Sequence, residues 1–497
     1  MIATAGSVGD RRRPGAPVIA DGHELLSLLP EVPGGGVLLA LAARPDLADL
    51  HAELVGGAVR DLMLGRPVRE LDVVVAARPQ AFLEALADAV GGTPELCLHE
   101  RFATGSLSWR DAGIEGDAGS GGDAGSGGEA RIDVATRRAE TYPVPGQLPE
   151  VRQGTPEEDL QRRDFTVNAI ALSLAGAHRG RLRAVENAIE DLRARRLRVL
   201  HEESFREDPT RLLRLARYTA RLAFAVEPHT LELARRALRE GALATVSGGR
   251  LGAELRLALA EPNPVASLAA LDRLGVLAAL HPRLTFHEPL ATAALRLLDD
   301  TLRRGEASRD ALLLGVMLAP MLAAVHAGPG ATEREAAARE VGARETAPRE
   351  TAPRETAREL LERLEVPARE RELAIAAAVS AESRARELAA AHTPSAIYRA
   401  VRLAQPEPVA LAGAWGEHRG WSPASAAAAR WLDELRHVRL LVDGHDLIRA
   451  GVPQGPHVGR ILERLLEDRL DENLPDDRPA QLHAALNQAR ARASSAP

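Results

Sequence analysis

Apolar positions in the first third of the chain fall in short runs between glycines, prolines and charges. After about residue 181 they recur at helical spacing. Short runs bounded by turn residues read as strands, and recurrence every three or four residues reads as amphipathic helices. Leu71–Val75 predicts a strand, Pro79–Val90 a helix, and 105–109 with 131–135 a hairpin pair. Leu54-Val55 followed by Gly56-Gly57-Ala58-Val59-Arg60-Asp61 predicts a strand, a tight turn and a short helix. Residues 186–245 carry several Leu-, Ala- and Arg-rich helical stretches. The pattern continues over 246–327, broken by Pro262, Pro264, Pro282 and Pro289, and returns over 359–440 and from Leu441 onward. The fold class predicted is α+β, an N-terminal head with a mixed β-sheet and helices, followed by an all-α neck, body and tail.

The predicted organisation is a disordered tail over 1–17, a head over 18–180 and a helical neck over 181–260. A helical body follows over 261–327, then a low-complexity linker over 328–358, a helical tail domain over 359–492 and a disordered end over 493–497. Two segments lack core-forming residues. One is 113–130, with a tandem Gly-Asp-Ala-Gly-Ser-Gly-Gly, read as a flexible hairpin insertion. The other is the charged repeat over 344–358, read as a surface linker.

Composition changes the picture in three places. Aromatics make up only 3% of 497 residues, so cores must be built from Leu, Ala and Val, which favours helices. All 63 basic residues are arginine, so every cationic side-chain contact to a phosphate would have fork geometry despite the net charge of −7. Cys97 is the single cysteine, which excludes internal disulfides and multi-cysteine zinc sites. Residues 1–17 lack the apolar core of a signal peptide, and no apolar run reaches membrane-spanning length. A cytoplasmic location with no membrane partner is expected.

The candidate chemistry starts at Gly56-Gly57. Adjacent glycines let backbone approach a ligand, and the N–H groups of such a turn make an anion-binding concavity. Glu70 and Asp72 are two apart in a predicted strand and so share a face. Asp133, in a second predicted strand, joins them if the strands pair. Carboxylates beside a phosphate cradle suit Mg²⁺ held against a nucleoside triphosphate. A lone strand aspartate would instead be a solvated edge residue.

These residues resemble a known family. The glycine turn with its acid pair, the segment from Ile132 to Tyr142, and Arg162-Arg163-Asp164-Phe165-Thr166-Val167-Asn168 are similar to the head of bacterial class II tRNA nucleotidyltransferases and poly(A) polymerases. Glu207-Asp208-Pro209-Thr210-Arg211 resembles the family's nucleotide-selecting motif. Gly444-His445-Asp446 and Gly455-Pro456-His457 are similar to its tail segment. The resemblance is dense over 53–260, sparse over 261–435 and returns over 441–482.

It implies an Mg²⁺-dependent enzyme that adds CMP and AMP from CTP and ATP to the tRNA 3′ end without a template. Glu70, Asp72 and Asp133 would hold the metals and activate the hydroxyl. Gly56, Gly57 and Arg60 would cradle the triphosphate. Arg163, Asp164 and Asn168 would orient sugar and phosphates. Asp208 and Arg211, three apart on one helix face, would choose the base, with Glu207 supporting Arg211 or the start of the helix. The same Asp-Pro-Thr sequence also reads as a helix cap. Arginines over 193–198 and 211–221 would face an acceptor stem in part, the rest being solvated ion-paired faces. Tyr218 and Phe224 read as core, as do Phe165 and Val167.

Three departures stand out. Glu70 occupies a position that is usually Asp. The turn over 185–189 lacks the usual proline and paired glycines. The helix over 312–320 lacks the His-Asp pair of phosphohydrolase-bearing relatives, and His281, His287 and His326 have no ligand spacing, so no phosphohydrolase activity is expected. Alternatives to complete CCA addition are A-only or CC-only addition, poly(A) synthesis, and a non-catalytic RNA-binding relative, the last motivated by Glu70. The oligomeric state is left open.

Overall fold

The computed structural model describes residues 18–91, 93–99, 104–110, 129–323 and 353–493. The chain divides into two compact units. One comprises residues up to Asn263 with Arg273–Ala279, the other Pro264–Asp272 with the chain from Leu280 onward.

The first unit begins with α1 (Gly22–Leu28), α2 (Gly35–Ala42), β1 (Glu53–Val55), α3 (Gly57–Met63), β2 (Leu71–Val75), α4 (Pro79–Val90), β3 (Glu95–His99), β4 (Thr104–Arg110) and β5 (Glu129–Thr136). It continues with β6 (Arg138–Thr141), β7 (Glu150–Gln153), α5 (Pro156–Gln161), β8 (Ile170–Ser173), β9 (Leu182–Ala184), α6 (Ala188–Ala194), β10 (Arg196–Leu197), α7 (Ser204–Glu207), α8 (Thr210–Leu222), β11 (Ala225–Val226), α9 (Pro228–Arg239) and α10 (Gly248–Leu259).

Seven strands form one sheet in the order β3-β4-β5-β2-β1-β8-β9. All neighbours are antiparallel except β2 and β5, which run parallel. The central strands β1, β2 and β8 are buried almost throughout, as their continuous apolar runs require. One face of the sheet is covered by α4 through Phe82, Leu83 and Leu86. A Cβ at Gly105 of β4 would stand 2.6 Å from Leu83 and 2.9 Å from the Cys97 carbonyl, so the helix packs where a larger residue could not sit. The other face carries the polar side chains considered below.

Three expectations are corrected here. The sheet extends past residue 181 through β9, and the neck helices begin only at α6. Residues 129–130 belong to β5 rather than to the insertion, whose residues 113–128 lie outside the described residues, as do 1–17 and 494–497. The third correction concerns the second unit.

Elements after α10 are α11 (Pro264–Leu274), α12 (Val276–Leu280), α13 (Glu288–Arg303), α14 (Arg309–Ala323), α15 (Pro353–Arg363), α16 (Ala368–Ala390), α17 (Pro394–Val401), α18 (Pro406–His418), α19 (Ser422–Asp433), α20 (Gly444–Arg449), α21 (Pro456–Leu470) and α22 (Arg478–Ala493). The end of the charged repeat, residues 353–358, is the start of α15 and not linker. Pro353 sits at the first helical position, and Ala357, Leu360 and Leu361 supply a buried face. Residues 324–352 lie outside the described residues. In this unit His287 caps α13, accepting from the Leu290 N–H at 3.2 Å, and its ring meets His418 edge-on at 4.5 Å. His281 accepts from the Arg283 N–H. Near the end of the chain a capping box between Asp443 and Asp446 starts α20, and Leu447, Val458, Ile461 and Leu465 pack as a core. Among the described residues no helix is long and apolar enough to cross a membrane.

Candidate active site

Parallel pairing of β2 with β5 puts Asp72 directly opposite Asp133. Antiparallel pairing of β4 with β5 puts Ser106 opposite Asp133 in turn. A Ser-Asp-Asp row therefore crosses three strands on one face. Burial is the main cause that lifts the Asp72 carboxyl to about 6; the charges of Glu70 and Asp133 add to it and Arg163 opposes it. Glu70 is exposed and directly precedes β2; it lines the same cleft as Asp72, and its charge acts on that carboxyl. Asp133 accepts from Arg131 at 3.2 Å.

Gly56 is the N-cap of α3 with φ 72° and ψ −132°. A Cβ there would lie 2.8 Å from Arg163 Nη1 and 3.9 Å from Asp72 Oδ2, so both the backbone conformation and the space require glycine. Its own N–H donates to the Ile170 carbonyl. What the turn offers an anion is thus the first turn of α3, whose N–H groups have no helical partner. Gly57 is under no such constraint: its Cβ position meets only Arg60 at 3.5 Å. Arg163 is held by Asp159 at 3.0 Å through Nη2.

Arg60 is 1% exposed and forks onto Asp61 with two 2.8 Å hydrogen bonds. Its remaining nitrogen donates to Asn168 Oδ1, while Asn168 Nδ2 donates to Asp164 at 2.9 Å. Asp164 is buried and accepts from Arg214, whose Nη2 is 2.6 Å away. Burial would raise this carboxyl, but Arg214, Asn168 and Arg211 outweigh it and hold it at about 2. Arg60, Asp164 and Asn168 thus have their polar groups engaged with one another.

Asp208 is not on a helix with Arg211. It has extended backbone two residues before α8, because Pro209 and Thr210 start that helix. It accepts from the Thr210 hydroxyl at 2.7 Å and from Arg250 at 2.8 Å, both on Oδ1, which leaves Oδ2 to accept from a ligand. Arg211 is 3% exposed and donates to Ser204 Oγ at 2.7 Å and the Arg162 carbonyl at 2.8 Å. Glu207 meets His201 at 3.4 Å rather than supporting Arg211.

Of the predicted site residues all but Asp133 line one cleft of about 730 Å³, in the size range of small-molecule and cofactor sites, and Asp133 lines an adjoining space with Asp72 and Ser106. Ten arginines and eight carboxylates line the cleft. Eight of them close a ring of ion pairs, completed by Asn168. Arg60 meets Asp61, which meets Arg221, and Arg221 meets Glu261 at 3.9 Å. Glu261 meets Arg217, which meets Glu254, and Glu254 meets Arg214. Arg214 returns to Asp164, and Asn168 closes the ring onto Arg60. Tyr218 sits among them, with the guanidinium carbons of Arg217, Arg60 and Arg214 at 5.0, 5.4 and 5.7 Å from its ring centre. Phe165 meets Tyr218 edge-on at 5.9 Å. Phe165, Val167 and Phe224 are buried.

The arginines over 211–221 therefore turn into the cleft and not onto an external RNA face. Arg196 and Arg198 likewise converge on buried Asp191. The cleft groups missed from the sequence are Arg214, Arg217, Arg221, Arg250, Glu254 and Glu261, with Tyr218 read only as core. Spacings of three, four and seven along α8, and of four and seven from Glu254 in and just past α10, were the available signal.

Among the described residues, no three His, Cys, Asp or Glu side chains are gathered closely enough to hold a metal ion. The Glu70-Asp72-Asp133 trio is thus not a ready-made three-ligand site. The adjacent pair Asp72 and Asp133 still fits Mg²⁺. That ion is usually bound by one or two carboxylates together with substrate phosphates, and it would relieve the negative charge crowded around Asp72.

Residues 52–198 match the Poly A polymerase head domain family. The A-adding tRNA nucleotidyltransferase of Geobacter sulfurreducens is 36% identical over 255 residues, 51% of this chain and 26% of that protein. The CC-adding tRNA nucleotidyltransferase of Deinococcus radiodurans is 40% identical over 227 residues, 46% of this chain and 54% of that protein. The chain thus matches about a quarter of the first relative's length and about half of the second's. An apo structure of a CCA-adding enzyme superposes with a TM-score of 0.71 and 25% identity, covering 96% of this chain and all of that one.

Proposed function

We propose that the chain, whose residues 52–198 match the Poly A polymerase head domain, is a nucleotidyltransferase that extends the 3′ end of tRNA with CMP and AMP, using CTP and ATP without a template. The observation that carries this reading is the register of Asp72 against Asp133 beside the Gly56 turn, at the wall of an arginine-lined cleft.

Asp72 and Asp133 would hold Mg²⁺, with Glu70 at the margin. When bound, the ion lowers the pKa of the attacking hydroxyl and neutralises the triphosphate. The first turn of α3 and Arg163 Nη1 receive phosphate oxygens, and Gly56 gives them room. Asp208 Oδ2 accepts from a base amino group. Arg250 fixes the orientation of that carboxylate, and Arg211 supports the same end of the cleft from Ser204. Arg60, Asn168 and Asp164 keep the turn and the neck in register.

Relatives named A-adding and CC-adding each match about half of the chain, so restriction to A alone is the second reading. Purified protein with Mg²⁺ and radiolabelled CTP or ATP would be given tRNAs ending at the discriminator base, at C and at CC, with a generic RNA beside them. Two C and one A followed by arrest is the expected result. A on the CC-ending tRNA alone assigns the A-adding role. Long A tracts on generic RNA assign poly(A) synthesis, and no incorporation defeats the proposal.

A further inference from the structure

Asp72 is a partition between two spaces. It lines the large cleft and also a second cavity of about 360 Å³. The second cavity lies over the strand row of Ser106, Asp133 and Asp72, with Thr104 and Ala135 in register one step along. Its floor is small and apolar at Val74 and Ala135. Its polar groups are the Thr104 and Ser106 hydroxyls, the Arg131 guanidinium, the Asp72 and Asp133 carboxylates, and Arg162 and Arg163, which with Asp72 also line the large cleft.

Phosphoryl transfer requires the attacking and leaving oxygens roughly in line on opposite sides of phosphorus. If the triphosphate lies in the large cleft along α3 and Arg163, pyrophosphate departs on that side. The attacking hydroxyl must then approach from beyond Asp72, and the second cavity is the space there. The Arg131 side chain is 55% exposed and rests on Asp133 in the free protein. It can turn from that carboxylate to a phosphodiester without leaving a buried charge unpaired.

We propose that this second cavity seats the terminal nucleotide of the acceptor RNA, with Arg131 as the contact to its phosphate and with Thr104 and Ser106 facing its ribose; this rests on the transferase reading above. No bond is formed or broken by these residues. They are positioning residues that bring the 3′ hydroxyl to Asp72.

The test uses the full chain and a tRNA transcript whose last nucleotide carries a 4-thiouracil base. Irradiation is expected to link that base to peptides within 104–110 or 131–137. Links confined to Tyr142, 208–221 or 250–261, or links no stronger than those from an internal thiouracil, would overturn the proposal. Two variants add an independent readout. Ala135→Phe fills the cavity and Arg131→Ala removes the phosphate contact. Each is expected to raise KM for the tRNA by about 10-fold or more, while CTP binding in equilibrium dialysis stays unchanged. An unchanged KM for tRNA, or a parallel loss of CTP binding, counts against the cavity. The two readings separate cleanly. Wild-type incorporation without terminal crosslinks removes only this inference, and crosslinks without incorporation remove only the transferase reading.

Discussion

Arg214 Nη2 lies 2.6 Å from buried Asp164, and this contact joins α8 of the neck to the segment between α5 and β8 of the head. Arg214 leads on through Glu254 and Arg217, and Asp164 leads back through Asn168 to Arg60 behind the glycine turn. Interrupting one link should therefore be felt both in stability and at the turn.

Asp164→Ala is expected to destabilise the protein by about 1–3 kcal/mol, since it removes a buried carboxylate that accepts from Arg214 and Asn168, while Arg214 keeps Glu254 as a partner. The sign with pH follows from the depressed carboxyl. A native pKa of about 2 against an ordinary 3.8 means that the stabilisation is present above pH 4 and lost as pH falls from 4 toward 2. Urea titrations of wild type and Asp164→Asn should converge across that window. Curves that stay parallel would contradict it.

The Asp72 carboxyl shifts the other way. Its native pKa of about 6 lies above the ordinary value, so the fold is favoured at low pH and loses that contribution as pH rises through 6. In chelator without nucleotide, Asp72→Asn is expected to be more stable than wild type at pH 7.5 by roughly 1–2 kcal/mol, with the difference vanishing near pH 4. The same variant should lose more than about 100-fold in nucleotide incorporation. Thermal melts at both pH values and a single-turnover assay measure the two effects.

Glu70 lies outside β2 and is exposed, so its loss should cost less than that of Asp72. Glu70→Ala is expected to lower kcat by about 10-fold, as an outer group tuning a site would, and Glu70→Asp to retain activity. Glu70→Asp active beside an inactive wild type would favour the non-catalytic reading. Chelation of divalent ions should stop incorporation in every variant, and Mg²⁺ should restore it.

Arg250 touches Asp208 from α10 and also donates to the Gly146 carbonyl at 2.7 Å. Arg250→Ala should release the orientation of Asp208. The expected outcome is a loss of about 10-fold in kcat/KM with a narrowed ratio between CTP and ATP and against GTP and UTP. A uniform loss over all four nucleotides would show that Arg250 supports the fold only.

The local pattern of the chain already determined the strand over Leu71–Val75, the helix over Pro79–Val90 and the hairpin of β4 with β5. Each rests on periodicity and turn residues within a dozen positions. The motif at Gly56 was legible for the same reason, because a left-handed backbone beside a close approach leaves glycine as the residue that fits. The sequence did not show that Asp208 stops short of the helix, that Arg60 is buried behind the turn, or that Arg214, Arg217 and Arg221 face inward. It also did not show that residues 353–358 join a helix. A charged side chain looks alike in sequence whether it meets water or a carboxylate brought from 40 to 160 residues away. Glu254, Glu261, Asp164 and Asp61 are such partners, and only the closure of sheet and neck helices placed them. Burial of charge is stabilised by pairing in three dimensions, so tertiary structure alone decided which arginines belong to the cleft.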